Sequence, residues 1–315
     1  MERMSDNAVT IVGAGLSGIA CARALAEGGI PTRILERGRV PGGRLATKRF
    51  EERRVDIGAS YFTVPDGSAF AGVVGEWMTR GLVRPWTDTF AVADDTRLRD
   101  RTTGPMRFAA PGGLRGLVAD LAESLNVEHQ RTVETVEPGA LDGESVGDIV
   151  LAMPDPQANR LLPASHEIDA VEWEPVIAVI LGFAERSWPA DLQGAFVNDS
   201  ATVGFIADDG ARRGDGAPVL VAHTTSALAA AHLDDPHAVR PIVVDAVRRI
   251  FGITDEPEWV AAHRWTFARP ATTHAQPFSF VDGIGVCGDA WGASPSVSTA
   301  WASGDALGRA IAASR

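Results

Sequence analysis

Residues 9–18 read Val-Thr-Ile-Val-Gly-Ala-Gly-Leu-Ser-Gly, an apolar strand that runs straight into a glycine turn. Few local sequences restrict a fold so tightly. Val9 to Val12 are all β-branched, which suits a strand buried on both faces. Gly13 permits the tight turn, Gly15 lets the backbone approach a pyrophosphate, and Gly18 lets the next helix pack closely on the sheet. That helix starts near Leu16. The amides of Leu16, Ser17 and Gly18 therefore stay unpaired and meet the phosphates with the positive end of the helix dipole. Its Ala-rich body, Ile19 to Glu27, ends at Gly28-Gly29, with Pro31 as a stop. A second strand, Thr32-Arg33-Ile34-Leu35, delivers Glu36 about 20 residues after the turn, where a carboxylate accepts from both ribose hydroxyls. The stretch predicts a dinucleotide cradle heading a doubly wound, Rossmann-like α/β domain.

Length and charge limit what else the chain can be. At 315 residues there is room for a second domain, and a net charge of −12 disfavours nucleic acid or an anionic membrane as partner. The longest apolar run, Val176 to Ala184, is too short to span a bilayer. The first strand begins too early for a secretory leader to precede it, which predicts a cytoplasmic protein. Only two cysteines are present, Cys21 in the first helix and Cys287 at the end of a late strand, so neither a disulfide framework nor a Cys-rich metal site is available. No metal-ligand cluster, Ser/His/Asp set or carboxylate pair stands at informative spacing. Chemistry carried by a cofactor fits that lack.

After Glu36 comes Arg37-Gly38-Arg39-Val40-Pro41-Gly42-Gly43-Arg44, a loop whose double glycine allows close approach and whose Arg44 carries charge to an anion. A strand-like segment follows, Val55-Asp56-Ile57-Gly58-Ala59-Ser60-Tyr61-Phe62-Thr63. Near the C-terminus an apolar strand ends in Gly288-Asp289-Ala290-Trp291, and a small-residue helix begins at about Ser296. The cradle, the Gly-Gly-Arg loop and the late Gly-Asp together resemble the superfamily of flavin amine oxidases, phytoene desaturases and protoporphyrinogen oxidases. The Asp56-x-Gly58-Ala59-x-Tyr61-Phe62 pattern and the segments His263-Arg264-Trp265 and Ala268-Arg269-Pro270 resemble its renalase branch. The likeness covers nearly the whole chain. It departs from the branch pattern at Ser296 to Trp301 and at Ala227 to Ala229, changes that bear on the substrate and leave the cofactor untouched.

The resemblance implies FAD, held without a covalent bond because no attachment motif is present. It implies cofactor contacts from Gly13, Gly15, Leu16, Ser17, Gly18, Glu36, Arg37, Gly43, Arg44, Gly58 and Ala59. Further contacts fall to Val133 beside the adenine, to Ala152 and Met153 where the chain returns to the first domain, and to Asp289 on the ribitol. Gly288 would complete that turn, while Ser298 and Thr299 would bring a helix N-terminus to the flavin N1–C2=O edge. The FAD domain would then be discontinuous, residues 1–64, 108–154 and 283–315. Residues 65–107 and 155–282 would form an inserted α+β substrate domain.

The implied reaction is hydride transfer from a reduced pyridine nucleotide, of the dihydro-NAD(P) isomer type, to flavin N5, with reoxidation by oxygen. An amine or another reduced ring compound is the alternative substrate, and a non-enzymatic FAD-binding protein a third reading. Candidates for the substrate pocket are Tyr61, the only tyrosine, with His223, Arg264, Trp265 and Trp291. Aromatic walls would hold a flat ring by offset stacking. Residues 259–267 alternate, so Val260, Ala262 and Arg264 should face one way and Ala261, His263 and Trp265 the other.

Overall fold

Val9–Val12 is buried along its whole length and pairs in parallel on both sides, with Ile149–Leu151 and with Thr32–Glu36. Two-sided burial is what its unbroken run of β-branched residues provides for. The computed structural model describes residues 8–315; residues 1–7, on which the expected lack of a leader rests, lie outside the described residues. The six-stranded sheet runs Ser279–Val281, Ile284–Val286, Ile149–Leu151, Val9–Val12, Thr32–Glu36, Val127–His129. It is parallel except for the hairpin of the first two strands.

Helix Leu16–Glu27 and the last helix, Val297–Ala313, meet through glycines. A β-carbon on Gly304 would stand 1.9 Å from the Ser17 carbonyl oxygen, and one on Gly308 2.5 Å from that of Cys21. Only a hydrogen fits there. Helix Ala69–Thr79 joins the same core through Phe70, Val74 and Trp77, and Trp77 Nε1 donates to Asp120 at 3.0 Å. The sequence reading assigns residues 65–107 to the inserted part; the structure docks this helix on the first core instead, because its apolar residues recur at helical spacing. The chain touches the inserted sheet first at Phe62–Thr63 and returns to it with strand Arg84–Ala93.

The second sheet has eight strands, in the order Trp259–Pro270, Trp173–Gly182, Val219–Thr224, Val203–Asp208, Gly194–Val197, Arg84–Ala93, Leu98–Ala109, Phe62–Thr63. All neighbours are antiparallel except Gly194–Val197 with Arg84–Ala93. Helix Val239–Phe251 covers one face, packing Val243, Val247 and Ile250 with Val179, Leu181, Leu220 and Ala222. The other face meets the first body through Ala46, Val55, Ile57, Ile180, Val219 and Val221. Alternation along residues 259–267 is as the sequence indicates: Val260 and Ala262 pack on the helix side, Trp259, Ala261 and Trp265 on the other.

One strand expectation changes, and one expected contact falls outside any strand. Residues 55–63 are not continuous, because at Gly58 the chain crosses the Arg44 loop so closely that a β-carbon would lie 1.9 Å from the Arg44 carbonyl oxygen. Strand Arg53–Asp56 ends before it and Phe62–Thr63 resumes after it. Similarly, Val127–His129 stops where Gln130 takes a left-handed φ of 58°, so Val133 lies in an irregular segment, its side chain buried in one cluster with Val12 and Leu35. Among the described residues no helix is long and apolar enough to cross a membrane.

Candidate functional site

The glycine turn leaves Gly13 and Gly18 no room for side chains. Gly13 has φ of 107° and its N–H donates to Leu35; a β-carbon there would meet the Ala152 carbonyl oxygen at 2.7 Å, and one on Gly18 would meet that of Gly13 at 2.0 Å. Helix Leu16–Glu27 has no side-chain cap, so its first amides stay available to a ligand. Gly42 N–H donates to the Ala14 carbonyl at 2.9 Å, and a β-carbon on Gly43 would stand 3.2 Å from the Gly15 Cα. The two glycine loops form one surface. Glu36 accepts from Ala14 N–H at 2.9 Å and Gly38 N–H at 2.6 Å. Each carboxylate oxygen keeps a further acceptor site, which suits ribose hydroxyls.

Arg44 and Asp289, expected to contact the cofactor separately, bind each other. The guanidinium donates to both carboxylate oxygens at 2.5 and 2.7 Å and to the Ala268 carbonyl at 3.1 Å, and it lies over the Trp173 ring. The pair joins the two ends of the chain across the crevice. Gly288 N–H is held by Ser303 Oγ at 3.1 Å. At the start of the last helix Ser296 Oγ accepts from Thr299 N–H at 3.0 Å, so one amide expected to face the flavin is already capped. Ser298 is buried beside it.

Strand register assembles a row across the eight-stranded sheet: His263, Ala178, His223, Phe205, Phe196, Val92. Opposite residues share a face, and this is the face that carries Val219, Val221 and Trp265 toward the first body. His223 Nε2 is sealed and has no partner; burial, with the Arg212 charge second, pushes its pKa down to about 4. His263 Nδ1 stands 3.1 Å from Lys48 Nζ; burial first, then Lys48, Arg115 and Arg264, pushes it to about 4 as well. Both imidazoles are neutral at pH 7. Trp265 Nε1 donates to the Ile57 carbonyl at 2.6 Å, which seats its ring against Gly58.

Tyr61 packs among Trp86, Phe90 and Phe205, with ring centroids 5.4 to 6.3 Å away. Phe205 lies three strands from Trp265, roughly 14 Å at normal strand spacing. Tyr61 and Trp265 therefore do not clamp one flat ring between them; His223 stands in the interval. Arg264 is turned away from this face by the strand alternation, is exposed, and donates to the Leu233 carbonyl. Trp291 is buried in the cluster that holds Val12 and Leu35, stacked on His274 at 3.8 Å. Neither belongs to the row.

Sequence reasoning missed a buried charge network. Asp209 is fully buried between Arg212, Arg213 and Arg53, and although burial alone would raise its pKa, these arginines hold it below the ordinary carboxylate value. Arg212 donates to the Ser60 carbonyl at 2.8 Å and Arg213 to that of Pro111 at 3.0 Å. Asp56 accepts from Leu114 N–H at 3.1 Å and from Thr47. The inserted sheet is thus fastened to the segments that enter and leave the crevice. The signal was the run Asp208-Asp209-Gly210-Ala211-Arg212-Arg213, opposite charges at helical spacing. Among the described residues no group of three or more His, Cys, Asp or Glu side chains is placed to hold a metal.

A glycine cradle, the Glu36 carboxylate beside it and an inserted sheet over the same crevice define a two-part protein built to hold a dinucleotide. The NAD(P)-binding Rossmann-like domain model matches residues 11–76, and the model of flavin containing amine oxidoreductase matches residues 76–280. The chain belongs to the flavin containing amine oxidoreductase family, and its cofactor is a flavin. Over 71 residues, 22% of this chain and 8% of the relative, it is 44% identical to protein FLOWERING LOCUS D of Arabidopsis thaliana. Over 66 residues, 21% and 13%, it is 35% identical to carotenoid 3,4-desaturase of Haloarcula japonica. These matches span only a small part of either relative. A triple variant of putrescine oxidase superposes with a TM-score of 0.79 at 17% identity, covering 98% of this chain and 99% of that one. Cyclohexylamine oxidase from Brevibacterium oxydans gives 0.71 at 15%, covering 98% and 99%. At such identities the likeness is one of fold.

Proposed function

We propose that this FAD-dependent oxidoreductase is a renalase-like oxidase that takes a hydride from a flat dihydropyridine, of the dihydro-NAD(P) isomer type, with oxygen as acceptor. The chemistry supplied when FAD is bound is acceptance of a hydride equivalent and its later release as two electrons to dioxygen. The chain's own residues bind, orient and exclude water. Leu16, Ser17 and Gly18 offer uncapped amides to the pyrophosphate, Glu36 takes the ribose hydroxyls, and Gly43, Gly58 and Ala59 bring backbone close. Arg37, Val133, Ala152 and Met153 border the adenosine end, and Ser298 and Thr299 the ring end. The cofactor is held without a covalent bond: both cysteines are buried, and burial raises Cys21 and pushes Cys287 up to about 12, so neither thiol is ionised.

The observation that carries the substrate reading is the row His263, Ala178, His223, Phe205, Phe196. It contains no carboxylate to pair with an ammonium group, and the small side chain of Ala178 separates two neutral imidazoles. A neutral planar donor fits that face. The second reading, an amine substrate, draws on the oxidase neighbours that act on putrescine and cyclohexylamine by name. Anaerobic mixing of the yellow protein with candidate reductants separates the two. Dihydropyridines should bleach the flavin band faster than amines; faster bleaching by amines would reject the dihydropyridine reading.

A further inference from the structure

Arg107 is 5% exposed, and no carboxylate among the described residues pairs with it. Its Nη1 donates to the Asp88 carbonyl at 2.6 Å, while its Nε is sealed with no partner at all. The guanidinium carbon lies 4.1 Å from the Phe90 ring centre, 5.6 Å from that of Tyr61 and 5.9 Å from that of Phe196. Three aromatic faces therefore surround a cation at the end of the cross-sheet row. Ring contacts of this kind offset part of the cost of removing a guanidinium from water. They supply neither a counter-charge nor an acceptor for Nε, and a buried charge without a partner is otherwise strongly unfavourable. By contrast, every arginine of the neighbouring Asp209 network has its carboxylate.

We infer that Arg107 is an anion-binding subsite that receives a carboxylate or phosphate of the substrate, and that it makes the pocket selective for anionic donors. The inference rests on the reading that substrate lies against this aromatic face. It narrows that reading: a dihydropyridine bearing an acidic substituent is favoured, and a cationic amine meets a like charge. Tyr61 packs edge-on to Phe90 with ring centroids 5.4 Å apart, so a carboxylate reaches Nε only when the Tyr61 ring turns aside; a phosphate would use the same donors. Both accept charge-assisted hydrogen bonds from a guanidinium.

The test uses FAD-loaded protein and equilibrium binding, so it does not depend on turnover. Parent, Arg107→Gln and Arg107→Lys are titrated with benzoate and, separately, with inorganic phosphate, following the visible flavin spectrum and the melting temperature. The parent should bind at least one probe, with affinity lowered tenfold or more by Arg107→Gln and less by Arg107→Lys, which keeps the charge. Benzoate alone would identify a carboxylate site, phosphate alone a phosphate site. If Arg107→Gln does not fold, Arg107→Lys must still weaken binding by at least threefold. Absence of binding to the parent, or equal affinity in parent and variants, overturns the inference. In parallel, N-benzyl and N-(4-carboxybenzyl) dihydronicotinamide are compared as donors. Failure of both to bleach the parent flavin rejects the dihydropyridine reading while leaving the anion titration to decide on Arg107.

Discussion

Replacing Gly304 by alanine sets two known effects against each other. In an isolated helix the change stabilises by about 1 kcal/mol, because glycine carries extra backbone freedom in the unfolded chain. Here the new β-carbon would lie 1.9 Å from the Ser17 carbonyl oxygen. Normal carbon contact needs about 3.5 Å, so the two helices must part by roughly 1.5 Å. Both groups are backbone, and no side-chain rotation relieves them. Overpacking of this kind costs about 1–3 kcal/mol, and the upper end applies because the Gly308–Cys21 contact in the same seam is lost too. The net expectation is a loss of about 2 kcal/mol and a fall in melting temperature on the order of 5 °C. Flavin content should fall with it, since the movement carries Ser298 and Thr299 away from the crevice. The control is Gly75→Ala: that glycine is helical and exposed, and no atom lies within 4 Å of its added carbon. It should be stabilised by about 0.5–1 kcal/mol. Scanning calorimetry of the two apo variants decides; equal melting temperatures would refute the close-contact argument.

Glu36→Ala is expected to weaken FAD binding by about 1–3 kcal/mol, since the Ala14 and Gly38 amides lose their acceptor along with the ribose; flavin fluorescence titration measures it, and unchanged affinity would make Glu36 a loop brace only. Asp209→Asn removes the nearer of the two carboxylates that face buried Arg212, leaving Asp56 at 3.5 Å, and should cost about 3 kcal/mol in urea unfolding. A midpoint equal to the parent's would show that the network is dispensable. His223 gives a pH signature. Its folded pKa, about 4, lies below the unfolded 6.5, so the unfolded chain binds the extra proton first. Stability from this group is full above pH 6.5 and is lost as pH falls toward 4, by about 2–3 kcal/mol. His223→Leu should lose that part of the slope, and a slope identical to the parent's would count against the burial of His223.

What was legible in the chain is what its physics makes local. The turn from Val12 to Gly18 was readable because Gly13 and Gly18 answer contacts within their own strand-turn-helix unit or with the adjacent strand. The facing of Trp265 and Arg264 was half readable. Alternation separates them, yet nothing local says which side looks at the crevice, and Arg264 proved to be the outer one. Asp208 to Arg213 resembles a solvated turn, and only the fold brings Arg53, Asp56 and Ser60 to it from about 150 residues away. The Arg44–Asp289 pair was hidden for the same reason, each residue having an obvious separate task. Helix Ala69–Thr79 carried its apolar stripe in plain view, but its docking site on the last helix depends on the far end of the chain.

The site's two halves come from opposite ends of the polypeptide. Arg44 meets Asp289, and the helix behind the glycine turn is covered by residues 297–313. At synthesis rates of roughly 5–20 residues per second, the first half waits on the order of 15–60 s for the second. During that interval Ser17 and Cys21 have no helix packed against them, and the crevice has one wall. Cofactor capture is therefore a late event in the life of each molecule. A chain halted before residue 284 keeps every glycine of the cradle and still has nothing to close over the flavin.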